Sequence, residues 1–332
     1  MTDFLQTVKE RVVVYDGAMG TNIQFRNPGV DDFWGKEGCN ELLVLSRPDI
    51  IKDIHASFFR VGCDVVETNT FGSTRVVLAE YELQDKTAEL NIAAARLAKE
   101  VAQQFSTPGR PCFVVGSMGP TTKLPSLGHI TFDNMAAAYE EQAAALIDGG
   151  VDVLLVETSQ DLLQAKAALV GVFDAMQKTG KRLPVTVQVT LEATGTMLLG
   201  TEIGAALTAL EPFDVDVIGL NCASGPVEMN DAVRFLGGEL EQTGVSAAEC
   251  RTPAERRRAR CIQTHASGTG DLSQTFCAGL RSSNCRRMLR DHSRAFEGRR
   301  RRSLRRGTGA ARGQAVGGGI QRIHVGSSRS RS

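Results

Sequence analysis

The feature that most constrains the fold is an alternation of short β-branched runs with longer amphipathic segments between Arg11 and Leu236. Nearly continuous apolar runs of this length suit strands that are buried on both faces, as in a parallel sheet. Repetition of strand and helix predicts βαβ units with right-handed crossovers. Six such runs are present: Val12–Tyr15, Asp64–Glu67, Cys112–Gly116, Val153–Glu157, Pro184–Val189 and Val215–Leu220.

The segments between these runs carry the helical period and recognisable end signals. Gly149–Gly150 and Gly180 are expected to stop two of the helices, because glycine readily adopts the left-handed conformation found after a helix. Asp133 is predicted to cap the helix that begins beside it. The clearest predicted helices are Thr87–Phe105, Met135–Gly149 and Leu162–Thr179.

Polar residues at the ends of the runs decide between the two architectures that βαβ units allow. A doubly wound nucleotide-binding sheet should show a glycine-rich loop after its first strand, and Asp16–Gly20 has only two glycines at the wrong spacing. A ring of hydrogen-bonding groups at one mouth is typical of a barrel. The prediction is therefore an α/β fold of the (βα)8 TIM-barrel type, incomplete because only six βα units are recognisable. The strand-end residues are Asp16, Glu67, Ser117, Glu157, Thr190 and Asn221.

The net charge of zero conceals two chemically different parts. Residues 1–236 contain 18 Lys and Arg against 31 Asp and Glu, whereas residues 237–332 contain 20 basic residues, all Arg, against 7 acidic ones. No strand-like run follows Leu236, so this second part lacks the apolar surface needed to offset its ordering entropy. We expect a truncated barrel over 1–236 and a mostly disordered tail over 237–332.

Composition also excludes several functional classes. The sequence has no apolar window long enough for a membrane span and no basic region followed by an apolar core at its start, which predicts a cytoplasmic protein with no membrane contact. Eight cysteines spread over this length are typical of reduced thiols. The Arg-rich tail is a candidate for phosphate neutralisation, but it lacks interleaved aromatic residues, so no nucleic acid partner is expected.

Cys222 is the first candidate for chemistry, because it follows Ile218–Asn221 at the predicted end of a strand. Cys39, Cys63 and Cys112 lie in apolar or turn contexts and are expected to be structural. His55 and His129 have no partner at metal-ligand spacing and are assigned to a helix surface and a loop, respectively. The tail cysteines show no paired spacing typical of a zinc site.

Six ordered motifs resemble those of the homocysteine S-methyltransferase family over residues 8–236. The resemblance is strongest to the N-terminal homocysteine-binding modules of its cobalamin-dependent members. It implies a (βα)8 barrel that transfers a methyl group to the thiol of homocysteine and gives methionine. The motifs are Asp16–Thr21, Gly38–Glu41, Glu67–Gly72, Gly116–Thr121, Gly149–Thr158 and Gly219–Cys222.

The resemblance also implies a zinc ion held by three cysteine thiolates. Cys222 matches the first ligand, in an Asn-Cys motif, but the expected adjacent pair in a Gly-Gly-Cys-Cys-Gly-Thr motif is absent from the sequence. Zinc would deprotonate the substrate thiol at neutral pH, and homocysteine would take the fourth coordination position. A single cysteine cannot hold zinc tightly in that role.

The remaining site residues follow from the same resemblance. Asp16 and Glu157 resemble the acidic residues that meet the ammonium group of homocysteine, and the backbone N–H of Gly17 would lie near its carboxylate. Asn221 and the Glu67–Phe71 segment resemble further lining of the mouth. The implied methyl donor is methylcobalamin, with methyltetrahydrofolate chemistry, on cobalamin- and folate-binding modules that this chain does not contain.

A change of reading frame near Gly237 would explain the missing pair. Arg286–His292 can be written CGG CGG ATG CTG CGG GAC CAC, and one base later this sequence encodes Gly-Gly-Cys-Cys-Gly-Thr. Residues 237–332 are therefore interpreted as a shifted-frame product. Three hypotheses remain open: a zinc-dependent methyltransferase, a non-catalytic truncated fragment, and an RNA binder that acts through its Arg-rich tail.

Overall fold

The protein is described from a computed structural model, which describes residues 3–222 and 225–242. The described residues form one compact unit. The predicted tail starts inside a helix, Pro226–Gln242, so its first six residues are helical rather than disordered. The remainder of the predicted tail, with its four cysteines, lies outside the described residues. Among the described residues, no helix combines the length and apolar character needed to cross a membrane.

The core of the described residues is a five-stranded parallel sheet in which every strand pairs with the next one in the chain. Residue pairs such as Val66 with Val114, and Thr186 with Val217, fix the register. The order confirms the predicted βαβ repetition and gives the sheet of an incomplete barrel. The strands are β1 (Val65–Glu67), β2 (Phe113–Met118), β3 (Val153–Ser159), β4 (Val185–Val189) and β5 (Val217–Leu220).

Helices cover the outer face of this sheet. Within the described residues the α-helices are α1 (Phe4–Glu10), α2 (Met19–Arg26), α3 (Leu43–Ser46), α4 (Pro48–Val61), α5 (Arg75–Leu78), α6 (Thr87–Phe105), α7 (Phe132–Gly149), α8 (Leu162–Thr179), α9 (Ile203–Leu210) and α10 (Pro226–Gln242). The three longest, α6, α7 and α8, begin and end within a few residues of the positions predicted from periodicity.

The end signals of α7 and α8 are confirmed with one correction. Gly150 and Gly180 follow the two helices with φ of 90° and 67°, in the left-handed region that glycine tolerates. The N-cap of α7 is Thr131 rather than Asp133, since the Thr131 hydroxyl accepts the N–H of Asn134 at 3.3 Å. Asp133 lies in the first helical turn, where its charge favours the positive end of the helix dipole.

The first predicted strand, Val12–Tyr15, is not a strand of the described sheet. The Val14 carbonyl accepts the N–H groups of Asp64 and Val65 at 2.8 and 3.2 Å. The Val14 N–H donates instead to the Asp64 carboxylate at 2.9 Å. A side chain thus replaces the ladder partner, so the sheet has five strands where six were predicted.

His55 corrects a second expectation. The residue lies in α4 with its side chain fully buried, not on the helix surface. Burial lowers the pKa of its imidazole to about 4, so the ring is neutral at physiological pH. Cys39, Cys63 and Cys112 are buried free thiols, as expected of structural cysteines.

The inner face of the sheet changes from apolar to polar along β1, β2 and β3. Val65, Val115 and Leu155 belong to an inner apolar cluster, which the Phe4 ring of α1 joins by an edge-to-face contact with Phe113. Because side chains alternate across a strand, residues two positions further along point to the same face. The next residues on that face are Glu67, Ser117 and Glu157, and they form the floor of a cavity at the strand ends.

Close packing of α7 against α8 depends on a glycine. A Cβ atom at Gly171 of α8 would lie 2.2 Å from the carbonyl oxygen of Ala136 and 2.7 Å from the backbone nitrogen of Glu140, both in α7. A Cβ atom essentially never lies this close to a non-bonded atom. The backbones of α7 and α8 therefore approach each other so closely at Gly171 that there is no room for a side chain. The pair therefore forms a rigid wall behind β2 and β3.

Candidate active site

A cavity of about 280 Å³ opens at the carboxyl ends of the strands. It brings together the five residues that the family resemblance assigned to homocysteine or to zinc, although they span more than 200 positions of the sequence. The extended segment before α2 supplies Asp16 and Gly17, β3 supplies Glu157, and the end of β5 supplies Asn221 and Cys222. The other lining residues are Ala18, Met19, Gly20, Asn40, Glu41, Glu67, Thr68, Asn69, Phe71 and Ser117.

Asp16 lines the cavity, and one of its carboxylate oxygens has no hydrogen-bond partner among the described residues. The side chain is 2 % exposed, and its Oδ2 accepts the backbone N–H of Glu67 at 3.1 Å, whereas Oδ1 is buried and unbonded. Burial and the nearby Glu67 and Glu157 carboxyl groups raise the pKa of Asp16 well above its ordinary value. The raised pKa favours the neutral acid, and a cationic group beside it would favour the carboxylate form.

Glu67 is a second buried carboxyl group in the lining of the same cavity. Removal of its carboxyl group from water raises its pKa to about 8. Asp16 and Glu67 interact strongly, so the two carboxyls resist simultaneous ionisation. A bound ammonium group would relieve this repulsion.

Glu157 is oriented by side chains from β2, from β3 itself and from the residue that follows β5. Its Oε1 accepts the Ser117 hydroxyl at 2.5 Å, and its Oε2 accepts the Asn221 amide at 2.9 Å and the Thr158 hydroxyl at 3.4 Å. Together these donors hold the carboxyl group in one direction. The sequence placed Ser117 at the mouth but did not predict this contact.

Two residues near the carboxyl ends of β3 and β5 adopt the left-handed conformation. Thr158, at an irregularity within β3, has φ of 54°, and Cys222, just after β5, has φ of 61°, which is uncommon for residues with a side chain. Asn221 stabilises the Thr158 conformation, because its Oδ1 accepts the Thr158 N–H and its Nδ2 donates to the Thr158 hydroxyl, both at 2.9 Å. Thr158 Oγ1 in turn lies 3.6 Å from the Cys222 sulfur. Asn221 thus joins β3 to the cysteine at the cavity.

Glu41 is a cavity residue to which sequence reasoning gave no role. Its Oε1 accepts the Gly72 N–H at 2.7 Å, and a Cβ at Gly72 would lie only 2.8 Å from that oxygen. Burial raises the pKa of Glu41. The signal was present in the sequence, since Glu41 and Gly72 each end a motif that carried the family resemblance.

The described residues do not fit a three-thiolate zinc site. Among residues 3–222 and 225–242, no group of three His, Cys, Asp or Glu side chains is arranged to hold a metal ion. Of the cysteines that the structure describes, Cys222 is the one that lines the cavity, whereas Cys39 and Cys112 are buried in separate hydrophobic clusters. The donor set around Cys222 is otherwise oxygen and amide, whereas structural and catalytic zinc sites of this type require further sulfur or imidazole ligands.

Comparison with known sequences identifies a family. The sequence model described as homocysteine S-methyltransferase matches residues 13–265. The chain is 52 % identical over 235 residues to the methionine synthase of Mycobacterium leprae, and 51 % identical over 235 residues to that of Mycobacterium tuberculosis. Each alignment covers 71 % of this chain but 20 % of the relative, so the chain spans about a fifth of the length of the curated relatives it matches.

Comparison with solved structures confirms the barrel type of fold. The homocysteine methyltransferase MmuM from Escherichia coli, in its metallated form, superposes with a TM-score of 0.60 at 17 % identity, covering 79 % of this chain and 86 % of that one. Its oxidized form gives a TM-score of 0.58 at 18 % identity, covering 78 % of this chain and 92 % of the other. At this identity the likeness concerns the fold.

Proposed function

Because the chain belongs to the homocysteine S-methyltransferase family, we propose that its cavity binds homocysteine as the acceptor of a methyl group, with methionine as the product. One observation carries this proposal. Asp16, whose buried Oδ1 has no hydrogen-bond partner among the described residues, lines a cavity that the Glu157 side chain also lines. Two carboxylates in a site sheltered from water suit an ammonium group, which has three donors and no acceptor.

Each residue then has a defined part in holding the substrate. Asp16 and Glu157 accept the ammonium hydrogens, and the Gly17 N–H lies near the substrate carboxylate. Asn221 orients Glu157 and the Thr158 turn, which directs the substrate side chain toward Cys222. Support comes from the two hydrogen bonds that Asn221 makes to Glu157 and Thr158.

Activation of the thiol is the step that this chain's described residues do not provide. Zinc, when bound, would stabilise the homocysteine thiolate as a nucleophile at neutral pH. Cys222 supplies one of the three thiolates that such a site needs, and the described donor set does not supply the others. We therefore extend the proposal to substrate binding and assign no step to zinc here.

The methyl donor is proposed to be methylcobalamin carried on another module. The length of the two mycobacterial methionine synthases supports this part, because four fifths of each relative lies outside the match. Partners of this chain would then be cobalamin- and folate-binding modules. A cytoplasmic location belongs to the same proposal and is consistent with free thiols at Cys39, Cys63, Cys112 and Cys222.

A second candidate function is that of a truncated, non-catalytic fragment, and the donor set around Cys222 favours it. Zinc analysis of the purified full chain, with a homocysteine methylation assay and binding calorimetry, separates the two. Stoichiometric zinc with turnover rejects the fragment. Homocysteine binding without zinc or turnover supports a substrate-binding fragment, and no binding by the pure chain rejects the proposed function.

The boundary near residue 237 has its own test. We propose that residues 237–332 arise from a shifted frame and that the cysteine pair is encoded in the other frame. Sequencing codons 236–293 decides this, because Met288 has a single codon that fixes the T and G needed for the first cysteine. Codons that cannot give an adjacent cysteine pair one base later reject the interpretation.

A further inference from the structure

A chain of buried hydrogen bonds connects the helix layer with the floor of the cavity. Gln142 of α7 and Asn91 of α6 both have fully buried side chains. The Gln142 Nε2 donates to the Thr70 carbonyl at 2.8 Å and to the Asn91 Oδ1 at 3.2 Å. Asn91 in turn donates to the Ser73 carbonyl at 2.9 Å. The loop that follows β1 is therefore fastened to two helices by side-chain amides.

The same loop holds the backbone of Ser117. Thr70 Oγ1 donates to the Ser117 carbonyl at 2.7 Å, and Thr68 Oγ1 accepts the Ser117 N–H at 3.1 Å. The two threonine hydroxyls also lie 2.6 Å apart. Both backbone polar groups of Ser117 are thus set by the loop, which leaves its hydroxyl directed at Glu157 Oε1, 2.5 Å away.

Gln142 does not line the cavity, so it can affect a ligand there only through other residues, whereas Glu157 lines the cavity directly. In a buried network of low dielectric, removal of one donor leaves its acceptors unsatisfied and changes the geometry of the groups beyond them. Loss of the Gln142 amide would release the Thr70 carbonyl and loosen the loop that fixes Ser117. The Glu157 carboxyl group would then lose its hydrogen bond from the Ser117 hydroxyl.

We propose that Gln142 is a positioning residue that sets the direction of the Glu157 carboxylate through Thr70 and Ser117. The proposal rests on the proposed function for its effect on homocysteine, but the orientation of Glu157 is a property of the ligand-free chain. The alternative is that Gln142 only stabilises the core. The two explanations differ in whether the Ser117–Glu157 hydrogen bond is lost when the Gln142 amide is removed.

The test compares Gln142→Met with a matched variant, Gln164→Met, in the full chain. Gln164 is equally buried in α8, and its Nε2 donates to the Tyr139 hydroxyl at 2.9 Å instead of the Thr70 loop. Ligand-free crystal structures should show the Ser117–Glu157 hydrogen bond broken in Gln142→Met and kept in Gln164→Met. An intact bond in both variants overturns the proposal, whether or not homocysteine binds.

Binding calorimetry gives the second readout, at a temperature well below the melting point of both variants. Gln142→Met should weaken homocysteine binding about tenfold, while Gln164→Met stays within about twofold of wild type. Equal losses in both variants would assign the effect to stability and overturn the proposal. If the wild-type chain binds no homocysteine, the proposed function fails, and the crystallographic comparison alone decides for or against Gln142.

A double-mutant cycle identifies the route of the effect. If Gln142 acts through Ser117, the affinity of Gln142→Met combined with Ser117→Ala should equal that of Ser117→Ala alone. Independent contributions would instead multiply the two losses, and that result would overturn the route through Ser117.

Discussion

Asp16 accepts the backbone N–H of Glu67 through one carboxylate oxygen, and its other oxygen has no partner among the described residues. The backbone bond fixes the direction of the carboxyl group at the wall of the cavity. A cationic ligand in the cavity would favour the charged form of this group, and the predicted consequences concern both binding and pH.

Replacement of Asp16 by Asn should weaken homocysteine binding by about tenfold or more, because a hydrogen bond to a charged group is worth roughly 1.5–3 kcal/mol. Stability should stay the same or rise, since the change removes a buried like-charge interaction with Glu67. Calorimetry and urea unfolding measure the two effects. Asp53→Asn, at a surface carboxylate paired with Arg26, is the control and should leave affinity unchanged.

The pH dependence of stability should fall in a window set by raised pKa values. Burial raises the pKa of Glu67 from 4.5 to about 8 and that of Asp16 in the same direction, so the folded state binds more protons than the unfolded chain. The free energy of unfolding should therefore fall as pH rises from about 4.5 to about 8, with a slope of at most about 1.4 kcal/mol per pH unit for each group. The fall should be shallower below about 6.5, because the pKa of His55, lowered from 6.5 to about 4, contributes in the opposite direction there.

Urea unfolding at a series of pH values tests this sign. Glu67→Gln should flatten the slope in that window, because it removes one of the two groups. Asp49, whose pKa is lowered by its ion pair with Arg47, changes stability below the window and does not interfere. A stability that rises between pH 5 and pH 8 would contradict the raised pKa values.

Removal of the Thr131 hydroxyl should destabilise the protein by about 1 kcal/mol, the usual effect of losing an N-cap. Thr131→Ala leaves the N–H of Asn134 without its side-chain acceptor. The matched change Asp133→Ala should cost less, because it removes only a charge in the first turn. Urea midpoints in the reverse order would restore Asp133 as the cap.

Gly171→Ala should lower the free energy of unfolding by about 1–3 kcal/mol, since the added methyl group meets the backbone of α7. Gly109→Ala is the control, because a Cβ there meets no atom within 4 Å. Equal stabilities of the two variants, measured by thermal or urea unfolding, would show that α7 and α8 can separate without cost.

Local signals predicted helices better than strands or contacts. The bounds of α6 and α8 follow from the helical period and, for α8, from Gly180. Whether Val12–Tyr15 becomes a ladder strand depends on where the Val14 N–H finds its acceptor, and that acceptor is the side chain of Asp64, 50 residues away. Nothing in the local sequence specifies that choice.

The sequence predicted several residues that line the cavity but not the hydrogen bonds between them. Asp16, Glu157 and Asn221 were identified because they follow strand-like runs. The Ser117–Glu157 bond joins residues 40 positions apart, which no short-range pattern reports. Gln142 was missed for a related reason, because a glutamine within an amphipathic helix is typical of a solvated face and only the packing of α7 shows that it is buried.

The neighbour-to-neighbour order of the five strands has a consequence for synthesis on the ribosome. Each strand can dock on the one made just before it, so the sheet can grow without waiting for distant segments. Asn221, however, is needed to hold Glu157 and Thr158, which are made about 60 residues earlier. The nascent chain can therefore form its hydrophobic sheet first. The side chains of the cavity become ordered only after Asn221, which follows β5, has left the ribosome.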